Sequence, residues 1–212
     1  LKPLKVIIPE GSMLHPRPPA SVVAGNVETS TCITNALLGA LGVMAASQCT
    51  VNNFTFGSAH YQYYETISGG SGAGPVFDAQ GQVVGGFDGT SVVQTHMTNS
   101  RMTDPEVLEF RYPVRLESYA IRQASGGTGQ WKGGNGGVRR VRFLEPMTAS
   151  ILSNARLRGA FGLACPGAAA LRIQRVLRAD GRVEDLAHIG QVAMLPGDIF
   201  DIHTPGGGGY VQ

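Results

Sequence analysis

The chain has 212 residues, of which 42% are hydrophobic and 15% are charged, and its formal net charge is +2 at pH 7. This length is sufficient to bury a hydrophobic core, whereas so small a net charge argues against nucleic acid or an anionic membrane as a partner. The longest apolar stretch, Ile33–Ala46, is too short and too polar at its start to span a membrane. No signal peptide is recognisable and the three cysteines form no CxxC pair, so we expect a cytoplasmic protein.

The first third of the chain is predicted to mix strands and a helix. Two short buried strands are expected at Leu4–Ile8 and Ser21–Ala24. A helix is predicted over Thr31–Ala46, because apolar residues recur there at three- and four-residue spacing, at Ile33, Leu37, Leu41 and Met44. The preceding Glu28–Thr31 supplies capping hydroxyls and an acid that suits the positive end of a helix.

From about residue 75 onward the pattern is mostly that of β-strands. Apolar runs and alternations predict strands at Val83–Phe87, Ser91–His96, Val114–Gln123, Val138–Leu144, Ala149–Ser153, Leu171–Leu177 and Asp198–His203. No linker divides residues 1–212, although a sub-boundary is expected near residues 112–113, where the pattern becomes strongly β.

Turn signals join several of these strands. Asp180-Gly181 is expected to form a two-residue hairpin turn, and Gln80-Gly81 and Pro196-Gly197 mark further hairpins. Together these features predict a β-rich α+β fold. It has a mixed helix and strand N-terminal third and an antiparallel β-rich C-terminal half.

The 30 glycines are concentrated in three clusters, at Ile67–Pro75, Ser125–Gly137 and Pro205–Tyr210. Glycine at about twice its usual share indicates many tight turns and backbone positions with positive φ. The first cluster is not a dinucleotide fingerprint, because Pro75 and a strand-like segment follow it instead of a helix. No GxxxxGK[ST] phosphate-binding loop is present either.

Metal and nucleophile motifs are weak. The five histidines are dispersed and form no HExxH pattern, although distant residues such as His60, His96, His203 and Asp104 remain a candidate set of ligands. Ser71 lies on a glycine-rich turn that is not GxSxG. The apolar neighbours of Cys165 predict a buried, inert thiol.

The stretch QTHMTNSRMTDPE, residues 94–106 and hereafter the polar corner, concentrates hydrogen-bonding side chains. One interpretation is a connection from a strand to a helix, capped by Thr103 or Asp104 with Pro105 as the first helical residue. The other is a ligand site, onto which polar side chains converge to bind an anionic or amide-bearing molecule. These side chains are Thr95, His96, Thr98, Asn99 and Arg101.

Several of these segments resemble the hydantoinase B/oxoprolinase family. The resemblance covers essentially the whole chain, in the correct order, and is carried by Gly25–Ser30, Ala46–Gly57, Tyr63–Pro75, Thr95–Arg122, Gly133–Gly137, Pro196–Asp198 and His203–Tyr210. It implies the C-terminal portion of a B-type subunit over residues 1–212, without an N-terminal segment that family members carry. It also implies ATP-dependent opening of cyclic amides such as 5-oxoproline or hydantoins. Because the family includes acetone and acetophenone carboxylases, a carboxylase-type subunit is an alternative.

The resemblance further implies how the chemistry is divided. ATP and Mg²⁺ are expected on a partner A-type subunit or domain, a divalent metal in the N-terminal part, and no cofactor or metal on this chain. The expected partners are that A-type component in a hetero-oligomer and a small cyclic amide substrate. The isolated chain is expected to be inactive, and a non-catalytic docking or scaffold role is the other alternative.

The polar corner and the first glycine cluster are expected to line or brace the reaction cavity. Catalytic roles are predicted for His96, Arg101 and Asp104, and substrate binding for Thr95, Thr98, Asn99, Ser71 and Gly72.

Overall fold

The computed structural model describes residues 5–22, 25–96, 100–155, 157–164, 167–187 and 189–212. Within these ranges, a π-helical turn at Gly25–Thr29 precedes helix α1 (Ser30–Ala40), and a second helix, α2, spans Pro105–Arg111. The strands are β1 (Asn53–Gly57), β2 (Gln62–Glu65), β3 (Gly74–Phe77), β4 (Val83–Phe87), β5 (Val114–Ile121), β6 (Gly137–Phe143), β7 (Met147–Leu152), β8 (Ile173–Leu177), β9 (Val183–Asp185), β10 (Ile189–Met194) and β11 (Ile199–His203). The predicted β-rich α+β fold is confirmed.

Two sheets enclose the main core. One has the strand order β10-β7-β1-β2, the other has the order β5-β6-β11-β8-β9, and β3 pairs with β4 separately. All of these pairings are antiparallel. Across the core, the ring centroids of Phe54 and Phe200 are 4.8 Å apart, and Leu108 of α2 joins the same cluster. Residues on both sides of 112–113 therefore share one core, and the sub-boundary there stays a prediction.

Five strands were not among the predicted strand ranges, although the Asp180-Gly181 turn anticipated β9 as a hairpin partner. Three predicted strands did not form among the described residues. β1, β2, β3, β9 and β10 are short or contain glycine, so their alternation is weak. The predicted strand Ser91–His96 is reduced to a single bridge between Val93 and Gly69, because positive φ angles at Val92 and His96 interrupt the extended backbone. In the first third, the described residues 5–8 and 21–22 form no strand.

The predicted helix exists but is shorter and has its faces reversed. α1 ends at Ala40, and Gly42 has a φ of +68°. Its buried residues are the polar Thr31 and Asn35, whereas the expected core residues Ile33, Leu37 and Leu41 are exposed. The reversal is stable because the buried polar groups are bonded: Asn35 Nδ2 donates to Ser47 O, and Ser47 N donates to Asn35 Oδ1.

The expected capping of α1 was also wrong. Thr29 occupies the N-cap position in a helical conformation and makes no side-chain cap bond. The π-helical turn continues the helical backbone upstream, so the carboxylate of Glu28 is turned into the core. It accepts hydrogen bonds there from Thr50 Oγ1, Asn53 Nδ2 and Asn154 Nδ2. Burial raises the pKa of Glu28, although these bonds oppose the shift.

The turn predictions had mixed outcomes. Gln80-Gly81 closes the β3–β4 hairpin as expected, and Gly81 has a φ of +79°. Asp180-Gly181 closes the β8–β9 hairpin, but its loop has three residues rather than two, because Arg178 N donates to Arg182 O. Pro196-Gly197 forms a turn without a hairpin, since the strands it joins, β10 and β11, belong to different sheets.

The glycine-rich segments pack against one another through their backbones. Gly134 N donates to Ser71 O, Gly207 N to Gly134 O, and Gly127 N to Gly207 O, at 2.8 to 2.9 Å. A Cβ atom at Gly70 would lie 1.9 Å from Gly134 O, and one at Gly207 would lie 1.9 Å from Ser71 O. Close backbone approach thus requires glycine here. Positive φ does not, because the described glycines with positive φ lie outside these segments, at Gly11, Gly42, Gly81, Gly181 and Gly197.

Candidate functional site

The polar corner is held in place by Thr66, which lies just after β2. Gln94 Nε2 donates to Thr66 O at 3.2 Å and approaches Thr66 Oγ1 at 3.1 Å. The same hydroxyl shares a 3.0 Å hydrogen bond with Ser100 Oγ. Thr66 therefore contacts the polar corner at two positions, Gln94 and Ser100. The Gln94 and Ser100 side chains are fixed relative to each other.

A surface depression of about 450 Å³ opens beside this threonine. Its lining consists of Ser68, Val92, Val93, Gln94, Ser100, Arg101, Met102 and Tyr119. Gln94 Oε1 is buried and has no hydrogen-bond partner among the described residues, whereas Arg101 is exposed. The donation from Nε2 to the Thr66 carbonyl fixes which end of the Gln94 amide is oxygen. The depression, hereafter the corner depression, thus combines an unsatisfied acceptor with a guanidinium donor.

A buried ion pair supports one wall of the depression. Arg139 Nε lies 2.6 Å from Glu65 Oε1, and Arg139 Nη2 lies 3.0 Å from Glu65 Oε2. The side chains are only 1% and 4% exposed. The Arg139 guanidinium lies 5.6 Å from the ring centroid of Tyr119, and the Tyr119 hydroxyl shares a 3.0 Å hydrogen bond with Ser68 Oγ. The Tyr63 hydroxyl also donates a hydrogen bond to Glu65 Oε2.

Sequence reasoning missed this ion pair and the roles of Gln94 and Tyr119. A signal was present in β6, where the alternation places Arg139 on the same face as Val141 and Phe143. A charge on an apolar face predicts a buried partner. The identity of that partner, Glu65, is not visible in the sequence, because the two residues are 74 positions apart.

His96 is not part of the depression lining and belongs to a second polar cluster, with Asn35 and Ser47. Its Nε2 atom lies 2.8 Å from Asn35 Oδ1. Because Ser47 N also donates to that oxygen, the oxygen is an acceptor, and His96 Nε2 must carry the proton. In the neutral ring, Nδ1 is then the unprotonated nitrogen. Burial lowers the pKa of His96 and favours this neutral form.

Asp104 occupies the position that the structural interpretation predicted. It is the N-cap of α2, and its Oδ1 accepts from Glu106 N at 2.9 Å, with Pro105 as the first helical residue. It is exposed and is not part of the depression lining. A cap of this kind satisfies a free amide group at the helix start. Its predicted catalytic role remains a prediction.

The other predicted site residues are distributed among different surroundings. Ser71 Oγ accepts from Thr90 N at 2.7 Å, and Gly72 N donates to Ser47 Oγ at 3.2 Å. Both belong to the glycine-rich packing rather than to the depression lining. Thr95 is partly buried between Gln94 and His96. Thr98 and Asn99, predicted to bind substrate, lie outside the described residues, as does Cys165.

Metal-binding clusters and membrane-spanning helices are both absent from the described ranges. No group of three or more His, Cys, Asp and Glu residues there is arranged to hold a metal ion. His203, one of the candidate ligands, instead lies 3.1 Å from Asp201. No helix among these residues has the length and hydropathy needed to cross a membrane.

Comparison with known proteins identifies clear relatives. The sequence model of the family described as hydantoinase B/oxoprolinase matches residues 1–212. A 5-oxoprolinase from Dictyostelium discoideum is 42% identical over 212 residues. The match covers all of this chain but only 16% of that relative. This chain therefore spans only a small part of the length of that relative.

Two solved structures share the fold. An ATP-dependent caprolactamase from Pseudomonas jessenii superimposes with a TM-score of 0.75 and 21% identity, over 97% of this chain and 38% of that one. A nucleotide-free acetone carboxylase gives a TM-score of 0.58 and 16% identity, over 79% of this chain and 26% of that one. At these identities the likeness establishes the fold alone.

Proposed function

Because the chain belongs to the hydantoinase B/oxoprolinase family over its full length, we propose that it is part of an ATP-dependent enzyme that opens cyclic amides. The corner depression is proposed to face the activated ring. The 42% identity to a 5-oxoprolinase and the fold shared with an ATP-dependent caprolactamase support this choice of reaction. ATP and Mg²⁺ are assigned to an A-type subunit or domain, and no metal-ligand role is assigned to the described residues.

The observation that carries the proposal is that Gln94 and Arg101 line the same depression, and that Gln94 Oε1 has no hydrogen-bond partner among the described residues. A cyclic amide presents an N–H donor next to a carbonyl acceptor. Once substrate binding exposes it, the buried Gln94 Oε1 would accept from the ring N–H, and Arg101 would donate to the carbonyl oxygen or to a phosphoryl group placed on it. Leaving a buried acceptor unpaired costs about 1–3 kcal/mol, so a ligand that supplies a donor removes that cost.

The glycine-rich segments have a supporting role in this proposal. The backbone amides of Gly70 and Gly72 already donate within the chain, to Pro205 O and Ser47 Oγ. They are therefore not free to stabilise an oxyanion. Their contribution is to hold residues 66–72 rigidly against residues 90–94, through bonds such as Val93 N to Gly69 O.

The decisive experiment is ATP hydrolysis by the complete enzyme with its A-type component, measured with and without 5-oxoproline. Gln94→Leu and Arg101→Gln should each lower lactam-dependent kcat/KM by at least tenfold, while unfolding midpoints change little. Arg111→Gln, at the exposed C-terminal turn of α2, is the matched control. Equal losses of activity and stability would assign the corner a structural role. ATP hydrolysis that responds to acetone and bicarbonate but not to lactam would favour the carboxylase alternative.

A docking role is a second candidate, supported by the reversed faces of α1. Its exposed side carries Ile33, Leu37 and Leu41, which are 37%, 59% and 72% exposed. The helix sequence STCITNALLGA contains no charge, so this apolar stripe is suited to burial. The occupant proposed is the remainder of a longer B-type polypeptide, because the matched segment is only 16% of a relative's length.

A pair of charge substitutions tests the docking role. In the full-length protein, Leu37→Glu should expose α1 to limited proteolysis and lower the yield of folded enzyme. Phe110→Glu, at a position on α2 that is 90% exposed, should have little effect. If the two variants behave alike, the α1 stripe is not an interface.

A further inference from the structure

Two free cysteines meet where the first turn of α1 contacts the segment that precedes β1. Cys32 Sγ lies 3.7 Å from the carbonyl oxygen of Cys49, to which it can donate its S–H proton. Both side chains are partly rather than fully buried. Cys49 has a φ of +59°, a conformation that non-glycine residues adopt only where their surroundings hold them. The contact joins residues that are 17 positions apart.

The surroundings of the two sulfur atoms differ. Cys32 has one S–H proton, which serves either the Cys49 carbonyl oxygen or the Cys49 sulfur. Hydrogen bonds from Cys32 and from the Asn35 side chain lower the pKa of Cys49 to about 7, against the effects of burial and of the nearby Glu28 carboxylate. The hydrogen bond with Cys49, together with burial, raises the pKa of Cys32. Cys49 is therefore the nucleophile of the pair, and Cys32 is the resolving thiol.

We infer that Cys32 and Cys49 form an oxidation site that a hydroperoxide converts to a disulfide. The Cys49 thiolate attacks one peroxide oxygen, the O–O bond breaks, and a sulfenic acid and hydroxide form. Cys32 then loses its proton to that hydroxide and attacks the sulfenic sulfur. The S–S bond forms, and the sulfenic oxygen leaves as hydroxide. The proton that Cys49 released to solvent when it ionised neutralises this hydroxide. In total, two thiols and one hydrogen peroxide give one disulfide and two waters.

Oxidation of Cys32 and Cys49 is expected to change the position of Asn35, and thereby the second polar cluster of Asn35, Ser47 and His96. Asn35 lies one turn after Cys32 on α1 and bonds to the Ser47 backbone and to His96 Nε2. Its side chain also helps to lower the pKa of Cys49. A disulfide replaces the contact between Cys32 Sγ and the Cys49 carbonyl oxygen and pulls the first turn of α1 towards Cys49. The orientation of His96, at the start of the polar corner, therefore depends on the oxidation state of the pair.

The test uses the full-length protein in a Cys165→Ser background, where Cys32 and Cys49 are the remaining cysteines of this chain. After treatment with hydrogen peroxide at pH 7 and blocking with N-ethylmaleimide, non-reducing peptide mass mapping should reveal a Cys32–Cys49 cross-link. Dithiothreitol should reverse it. Before oxidation, iodoacetamide should alkylate Cys49 at least about ten times faster than Cys32, because Cys49 has the larger thiolate fraction at pH 7.

Single variants keep the proposal open to refutation. Cys32→Ser should stop oxidation of Cys49 at a sulfenic acid that dimedone traps, because no resolving thiol remains. Cys49→Ser should leave Cys32 with peroxide reactivity at least tenfold lower. Circular dichroism confirms that each variant is folded. Absence of the cross-link in the folded Cys165→Ser protein, or equal reactivity of the two cysteines, would overturn the inference.

Discussion

Breaking the buried pair of Arg139 and Glu65 by removing its cation should cost more stability than breaking a more exposed ion pair of similar geometry. Both residues lie in the core, are joined by two hydrogen bonds of 2.6 and 3.0 Å, and have side chains no more than 4% exposed. Arg139→Met leaves the Glu65 carboxylate buried without its cation, which costs about 3–5 kcal/mol. For a chain of this size, such a loss lowers Tm by roughly 6–20 °C.

An exposed pair at the same distance provides the control. Arg142 Nε lies 2.6 Å from Glu117 Oε1, but these side chains are 35% and 30% exposed. Arg142→Met should therefore cost no more than about 1 kcal/mol. Guanidinium unfolding, followed by circular dichroism and by the fluorescence of the single tryptophan, Trp131, measures both variants. Equal costs would refute the reasoning that burial, rather than distance, determines the energy of these pairs.

The double variant Arg139→Met/Glu65→Leu separates the energy of the interaction from the cost of an isolated charge. Removing both charges leaves no buried ion, so the double variant should be considerably more stable than Arg139→Met alone. The Tyr63 hydroxyl, which donates to Glu65, loses its acceptor, and this retains a cost of about 1–3 kcal/mol. A double variant less stable than the sum of its singles would contradict this account.

Three further substitutions test other elements. In urea unfolding, Gly70→Ala should lower the free energy of unfolding by about 1–3 kcal/mol or more, because its Cβ would lie 1.9 Å from a backbone oxygen. Gly85→Ala should be nearly neutral, because no atom lies within 4 Å of its Cβ. Asp104→Ala should cost about 0.5–2 kcal/mol and Asp104→Asn much less; lost turnover in the asparagine variant would reveal a catalytic carboxylate. Burial lowers the folded-state pKa of His96, so its stabilising contribution is complete above about pH 6.5 and declines as the pH falls through the folded-state pKa. His96→Asn should therefore make the free energy of unfolding depend less on pH below about 6.5. The same substitution at the exposed His60 should not change this dependence.

The sequence was informative where local chemistry determines the structure. The α2 start at Asp104 and Pro105 was predicted because a side-chain cap and a fixed proline φ act over three residues. The Gln80-Gly81 turn was predicted for a similar reason, since glycine at positive φ is required within the turn itself. In both cases the partners of each group lie a few positions away, so the spacing alone contains the information.

Prediction failed where the partner is distant in the chain. The spacing of Ile33, Leu37 and Leu41 is that of a helix face, but spacing does not indicate whether that face is covered. The face that is buried carries Asn35, and it is stable only because the Ser47 backbone lies opposite. The glycine clusters were misread for the same reason: composition suggested turns, whereas the structure requires glycine for contacts between segments more than 60 residues apart, as between Gly70 and Gly134.

Gln94 and Arg101 should affect different kinetic constants, because the structure holds them differently. Gln94 is fixed by Thr66 before any ligand arrives. Its oxygen, which has no partner among the described residues, is proposed to set the orientation of the ring on binding, and orientation mainly affects the chemical step. Arg101 is exposed and contributes similarly to the bound substrate and to the transition state, which mainly affects KM. In the complete enzyme, Gln94→Leu should therefore lower kcat, whereas Arg101→Gln should raise KM with a smaller change in kcat. The reverse pattern would show that the guanidinium, rather than the fixed amide, positions the reacting bond.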